Sequence, residues 1–402
     1  SYLEKNDVSV SIVDGEVENL SLEKLTDRIF SESPDVVGIT SNINTASKVL
    51  KLAETIKERD KDVKTVIGGP YVSALRTEAL DGVFDYGVYG EGEQAFLELV
   101  QHLDGKRKKE EIDGLIYRED GGIIMNRPRP LIMPLDVLPL PARHLIPMKL
   151  YTMSPLNYKR KPTTHMFTSR GCPYQCIFCD RSPFGQSVRY HSVNYALDEI
   201  EHLVKEYGIR DILFSDPVFT LKKKRVYEIC DGIIERGLDI TWSCLARTDL
   251  VDEDLLRTMH KAGCWQICYG IETGDQGVSD FLKKNIVLSD VNKVIRMTNR
   301  SGISAKGHFM LGAPIDTPET IEKTISMVKS LPLDKTVFTY FTPYPSTLAY
   351  DICKQSGTIL YKDFKRISPF EPNYLPPGIT KEFLVRKYRE ANRSFYLRPS
   401  YI

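Results

Sequence analysis

Residues 164–180 read Thr-His-Met-Phe-Thr-Ser-Arg-Gly-Cys-Pro-Tyr-Gln-Cys-Ile-Phe-Cys-Asp. The opening Thr164–Thr168 is a short β-prone run, and the glycine that follows it breaks the strand into a loop. That loop carries Cys172, Cys176 and Cys179 in the spacing C-x3-C-x2-C. Three thiolates on one loop can ligate three irons of a [4Fe–4S] cluster and leave the fourth iron open. Zinc asks for four closed ligands, or three and a water. No fourth cysteine lies nearby, although His165 and His191 do.

Downstream of this loop the chain repeats one unit. Strand candidates follow at Asp211–Phe214, Ile240–Cys244, Gln266–Ile271, Ala305–Leu311 and Thr336–Phe341. Each candidate, the first included, is followed by a segment with helical apolar spacing: Val193–Tyr207, Lys222–Arg236, Asp252–Ala262, Ser289–Ser301, Pro318–Leu331 and Thr347–Ser356. Thr317 followed by Pro318 is a helix start signal, with the cap residue first and proline at the first helical position. Consecutive β/α units of this length predict a partial or full β/α barrel over 161–375.

Upstream the alternation has a shorter period. Strands are expected at Val8–Val13, Val36–Thr40, Val63–Ile67 and Tyr86–Tyr89, and helices at Ser21–Ser31, Ala46–Arg59 and Glu93–Leu103. This pattern predicts a Rossmann-like, doubly wound parallel sheet over 1–104. Its strands run into Gly38-Ile39-Thr40-Ser41-Asn42, Gly68-Gly69-Pro70-Tyr71 and Gly90-Glu91-Gly92-Glu93. Ligands bind at the carboxyl ends of such strands. Residues 105–160 read as a hairpin about Asp120-Gly121-Gly122 and a linker with six prolines between Pro128 and Pro147. Residues 376–402 read as a helical tail. Its basic residues Lys381, Arg386, Lys387, Arg389 and Arg393 fit a solvated face better than an RNA clamp.

The cysteine loop and the strand-end motifs together resemble the radical S-adenosylmethionine (SAM) superfamily. The motifs are Ser215-Asp216-Pro217, Ala246-Arg247-Thr248-Asp249, Gly270-Ile271-Glu272-Thr273-Gly274, Met310-Leu311-Gly312-Ala313-Pro314 and Thr342-Pro343-Tyr344-Pro345-Ser346-Thr347. Ser346 stands where the family pattern has glycine. The resemblance implies that Cys172, Cys176 and Cys179 hold the cluster and that its open iron chelates SAM. It further implies SAM contacts at Phe178, beside the adenine, and at Asp216, Arg247, Glu272, Gly312 and Tyr344. Arg247 and Glu272 also admit a structural reading, as an ion pair between adjacent strand ends. In the family the reduced cluster cleaves SAM to methionine and a 5′-deoxyadenosyl radical, which abstracts hydrogen from the substrate.

Residues 1–104 resemble the cobalamin-binding domain that precedes the barrel in one group of that superfamily. The matching positions are Thr40, Ser41, Asn42, Gly68, Gly69, Pro70, Gly90, Glu91 and Gly92. No histidine precedes His102, so this segment supplies no lower axial histidine to the corrin. The resemblance also implies one more strand and helix upstream of Ser1.

The expected activity is therefore a cobalamin-dependent radical SAM methyltransferase. Oxidation or ring closure with the same cofactors is the alternative, and tRNA methylthiolation or a zinc-holding module come after it. Expected partners are a small-molecule or lipid-like substrate and an external electron donor of the flavodoxin or ferredoxin type. Composition agrees with this set. Lys+Arg and Asp+Glu are both 54, so no basic footprint for nucleic acid stands out. No apolar run is long enough to span a bilayer. A cluster on free thiolates suits the reducing cytoplasm. Cys230, Cys244, Cys264, Cys268 and Cys353 are expected only to pack.

Overall fold

A computed structural model describes residues 1–398 apart from 81, 155, 156, 362, 365 and 366. The chain divides into two compact units. One is Ser1–Tyr151 with Asp180–Gly185 and Asp363–Ile367; the other is Thr152–Cys179, Gln186–Lys362 and Ser368–Ile402.

The first unit is a five-stranded sheet in the order β1-β2-β3-β4-β5. Strands β1 (Val36–Thr40), β2 (Lys64–Gly68) and β3 (Tyr86–Val88) are parallel. Helices α1 (Leu22–Phe30), α2 (Ala46–Arg59), α3 (Pro70–Leu75) and α4 (Gly92–Leu103) alternate with them. Apolar residues at helical spacing bring α1 onto α2, where Leu22, Leu25, Ile29 and Phe30 pack on Leu52, Ile56 and Val63. The expected hairpin forms, as β4 (Leu115–Glu119) and β5 (Gly122–Met125). It is part of the sheet and not of a linker: β4 runs antiparallel to β3 and pairs Tyr86 with Tyr117. Leu115, Ile116 and Tyr117 bury themselves by this pairing. The strand expected at Val8–Val13 does not form. Its alternating apolar residues find no ladder partner, and Ile12 stays exposed.

The second unit is built on a six-stranded sheet of β6 (Thr163–Met166), β9 (Asp211–Phe214), β10 (Thr241–Ala246), β11 (Cys264–Glu272), β12 (Ser304–Leu311) and β13 (Lys335–Tyr340). All neighbours are parallel and lie in chain order, so the sheet curls into a half-barrel. Between β6 and β9 a ribbon of β7 (Ser169–Arg170) and β8 (Arg189–Tyr190) brackets the cysteine loop. Helices α5 (Val193–Tyr207), α6 (Lys223–Glu235), α7 (Glu253–Lys261), α8 (Gln276–Phe281), α9 (Leu288–Arg300), α10 (Pro318–Ser330) and α11 (Leu348–Gln355) make the crossovers. Thr317 caps α10 in a capping box with Thr320. A short ribbon of β14 (Thr358–Ile359) and β15 (Tyr374–Leu375) precedes the tail helix α12 (Lys381–Tyr396).

Candidate functional site

The cysteine loop leaves β7 through Gly171, whose φ of 88° favours glycine. It is then pinned by its middle residue. The Ile177 N–H donates to the Leu282 carbonyl at 3.1 Å, and the Ala349 N–H donates to the Ile177 carbonyl at 3.0 Å. The Ile177 side chain packs with Val278, Leu282, Ala313 and Phe341, and Phe178 lies against the same cluster. Cys176 is buried, Cys172 half-buried and Cys179 exposed. Burial pushes the Cys176 thiol up, while the charges of Lys284 and Arg247 pull it down. Cys172 and Cys176 also act on Cys179 electrostatically, so the three sulfurs share one neighbourhood. Among the described residues no three His, Cys, Asp or Glu side chains converge tightly enough to grip a single ion. A cubane offers a separate iron to each thiolate, so a three-thiol loop flanked by two cations fits an anionic iron–sulfur cluster better than zinc. Of the nearby histidines, His165 Nδ1 lies 2.9 Å from Ser215 Oγ, and His191 stacks on Tyr195 at 3.9 Å.

The strand ends surround this loop with buried polar groups. Asp216, at the end of β9, is 1% exposed. Its carboxylate accepts from the Thr168 N–H at 3.1 Å, from Thr168 Oγ1 at 2.9 Å and from the Ser169 hydroxyl. Arg225 closes the set by donating to Thr168 Oγ1 at 2.9 Å and to the His191 carbonyl at 3.0 Å. Burial raises the Asp216 carboxyl against these donors. Asp216 is thus tied to the turn that launches the cysteine loop.

Arg247, after β10, is 3% exposed. Its guanidinium grips Asp249 with two bonds of 2.9 Å and donates to the Lys284 and Asn285 carbonyls. It also lies 3.7 Å over the Tyr174 ring of the cysteine loop. Glu272, after a bulge at the end of β11, has a left-handed φ of 73°. Its Oε1 accepts from Lys284 Nζ at 2.8 Å. The structural alternative, an Arg247–Glu272 pair, gives way to two separate pairs, Arg247–Asp249 and Lys284–Glu272. Burial works to lower the Lys284 ammonium, and Glu272 more than offsets it, leaving the group raised.

Gly312 takes a φ of 91°, and its N–H and that of Ala313 donate to Asp316 Oδ2 at 2.9 and 2.8 Å. Tyr344 is half-buried, its carbonyl capped by Thr347 Oγ1 at 2.6 Å. Lys284 and Asp316 are the residues that sequence reasoning passed over. Lys284 lies in a run of Lys-Lys-Asn that reads as solvated, and Asp316 reads as a turn residue.

In the first unit the three glycine turns do meet. The Ser41 N–H donates to the Gly68 carbonyl at 2.9 Å, and the Tyr71 N–H to the Ser41 carbonyl at 3.0 Å. Ser73 Oγ bridges the second turn to the third, donating to the Gly69 carbonyl and accepting from the Gly90 N–H. Gly69 has a φ of 91°, and a Cβ there would stand 2.7 Å from both the Ser41 carbonyl and Thr40 Oγ1. Asn42 Oδ1 accepts from the Asn44 and Thr45 N–H groups in the turn before α2, while Pro70 and Gly92 are the first residues of α3 and α4. Glu91 is 4% exposed and accepts from the Ile132 N–H at 2.7 Å. Thr40 and Asn42 are exposed at the mouth of the turns. Gly69 thus lets the first two turns pack backbone to backbone, whereas a Cβ at Gly90 would meet nothing within 4 Å.

A sequential β/α half-barrel whose first strand feeds a three-thiol loop, in one chain with a corrinoid-type α/β unit, defines an iron–sulfur enzyme with a second cofactor domain. Comparison with known proteins agrees at both units. Residues 166–328 match the radical SAM superfamily and residues 1–100 the B12 binding domain. An uncharacterized methyltransferase of Pyrococcus horikoshii is 34% identical over 97% of this chain and 84% of its own length. The anaerobic magnesium-protoporphyrin IX monomethyl ester cyclase of Rubrivivax gelatinosus is 27% identical over 98% of this chain and 71% of its own. The solved radical SAM methyltransferase TsrM of Kitasatospora setae superimposes with a TM-score of 0.76 over 99% of this chain and 85% of its own, at 19% identity. The chain belongs to the radical SAM superfamily, in the group with an amino-terminal cobalamin-binding domain. It is an enzyme, and its cofactors are a [4Fe–4S] cluster, SAM and cobalamin. Among the described residues no helix is long and apolar enough to cross a membrane.

Proposed function

We propose that the chain is a cobalamin-dependent methyltransferase in which Cys172, Cys176 and Cys179 ligate the cluster. When bound, the cluster and SAM supply a hydrogen-abstracting radical, and cobalamin carries the methyl group. The observation that carries this reading is the three-thiol loop flanked by the buried cations Arg247 and Lys284. Those cations, each also paired with a carboxylate, draw the Cys176 thiol toward its charged form, which Glu272 partly opposes. Asp216 enters as a positioning residue, since its oxygens are engaged by Thr168 and Ser169. Glu272 keeps Oε2 without a protein hydrogen bond among the described residues, which suits it to a ribose hydroxyl of SAM. Phe178, Gly312 and Tyr344 shape the rest of the nucleoside site. The turns at Thr40–Asn42, Gly68–Pro70 and Gly90–Gly92 receive the corrin and its tail. Its substrate is a small molecule, and a one-electron donor of the flavodoxin or ferredoxin type reduces the cluster.

The test uses reconstituted enzyme, SAM labelled in its methyl group, and the small-molecule fraction of a cell extract. Methyl transfer predicts a labelled product that needs both cobalamin and Cys176. An unlabelled oxidised or cyclised product with the same requirements would instead place the chain with the cyclase of Rubrivivax gelatinosus.

A further inference from the structure

The face of β11, β12 and β13 that looks away from the helices carries an unusual set of cations. Strand register defines it. Gly270 pairs with His308, Cys268 with Lys306, and Gln266 with Ser304, so these residues share one face. On the next strand Lys306 stands opposite Lys335, and His308 opposite Val337. The other face belongs to the helices, as Tyr269 shows by bonding Thr298 of α9 at 2.8 Å. The set therefore lines the concave interior of the half-barrel.

Its charges are mainly positive, with Glu272 acting on His308 and Asp334 on Lys335 from the edges. Lys306 is 9% exposed and donates to Asn157 Oδ1 at 2.9 Å. Lys335 sits 4.8 Å from the Trp265 ring, directly across the ladder from Lys306. Like charges opposite one another weaken a sheet. Burial, and next the charge of Lys306, hold the Lys335 ammonium and the His308 imidazole down. Two buried nitrogens among them, His308 Nε2 and Gln266 Nε2, have no hydrogen-bond partner among the described residues, and Gln266 is 1% exposed. Two opposed lysines and two buried nitrogens unbonded among the described residues, all on one concave face, favour an acceptor-rich, negatively charged ligand.

We propose that Gln266, Lys306, His308 and Lys335 form the receptor for an anionic group, carboxylate or phosphoryl, carried by the methyl acceptor. The site reaches from the Glu272–Lys284 pair, whose head groups stand over Gly270 opposite His308, down to Lys306 and Lys335. Lys306 lies about 16 Å, at strand rise, below Leu311 at the carboxyl end of β12. An elongated acceptor anchored there by its anionic end presents its far end toward the cysteine loop. Naming the ligand as the acceptor rests on the methyl-transfer reading, whereas the anion site does not.

The test titrates the reconstituted full chain, saturated with SAM, calorimetrically with inorganic phosphate and separately with succinate at constant ionic strength. Saturable binding of one of them is expected, weakened roughly tenfold or more in Lys306→Met and in Lys335→Met. Circular dichroism checks that each variant is folded, and either variant alone suffices. Absence of saturable binding by both anions, or parental affinity in folded lysine variants, overturns the proposal. Anion binding without methyl transfer to any acceptor would sink the methyltransferase reading and leave the site standing.

Discussion

Single residues show where local pattern and long-range structure part company. Cys172, Cys176 and Cys179 were legible because their spacing is local and their chemistry is shared. Lys284 was not, because a Lys-Lys-Asn run reads as solvated until α8 and α9 fold it over the end of β11. Breaking its pair leaves an ammonium buried without a counter-charge. Glu272→Gln is therefore expected to cost about 3 kcal/mol in urea unfolding; a variant as stable as the parent would remove the pair from the account. Ser346 stands at a φ of 67°, in the left-handed region, where the family pattern has glycine. Ser346→Gly should raise stability by roughly 0.5 kcal/mol, since relieved strain slightly exceeds glycine's entropy cost. A lowered melting temperature would contradict this. His308 is held down to about 4 by burial and then by Lys306. The unfolded imidazole takes its proton first, so this contribution is complete above the ordinary value of 6.5 and is lost as pH falls toward 4. His308→Gln should flatten the acid limb of the stability profile in that window, and an unchanged limb would assign it to other groups.

At the scale of elements, the main β/α alternation was readable, because amphipathic helices and buried strands carry their periods in the sequence, whereas the six-residue helices α3 and α8 are too short to show one. β1 and α2 begin and end where the pattern places them. Two elements went otherwise for the same reason, that a strand is defined by its partner. Val8–Val13 has strand composition and no neighbour to pair with. The hairpin of β4 and β5 looks self-contained in the sequence and finds its neighbour in β3. Turn contacts between elements were equally hidden. Nothing local in Asp216 announces that it ties β9 to the start of the cysteine loop. Asp216→Ala should lower the iron content of reconstituted protein well below that of the parent, by releasing Thr168 and Ser169. Full iron loading would show that the loop is held by Ile177 alone. In the other unit, Gly69→Ala forces a Cβ to 2.7 Å from the Ser41 carbonyl at a left-handed φ. Cobalamin binding followed by absorbance should weaken sharply, and parental affinity would argue that these turns do not face the corrin.

At the scale of the molecule, the chain joins two units whose chemistry is complementary. The half-barrel holds three thiols, two buried cations beside them and, deeper on its concave face, the residues of the proposed anion site. The other unit gathers three glycine turns at the carboxyl ends of parallel strands. The remaining cysteines, Cys230, Cys244, Cys264, Cys268 and Cys353, are all free and buried, as packing residues should be. The central claim is that the three-thiol loop makes this chain a radical SAM enzyme, and its most direct test needs no methyl acceptor. Anaerobically reconstituted protein is incubated with SAM and a chemical reductant, and 5′-deoxyadenosine is quantified beside Cys176→Ala treated identically. The account predicts steady 5′-deoxyadenosine formation by the parent and none above background by the variant. Equal formation by both, or none by an iron-loaded parent, would contradict it.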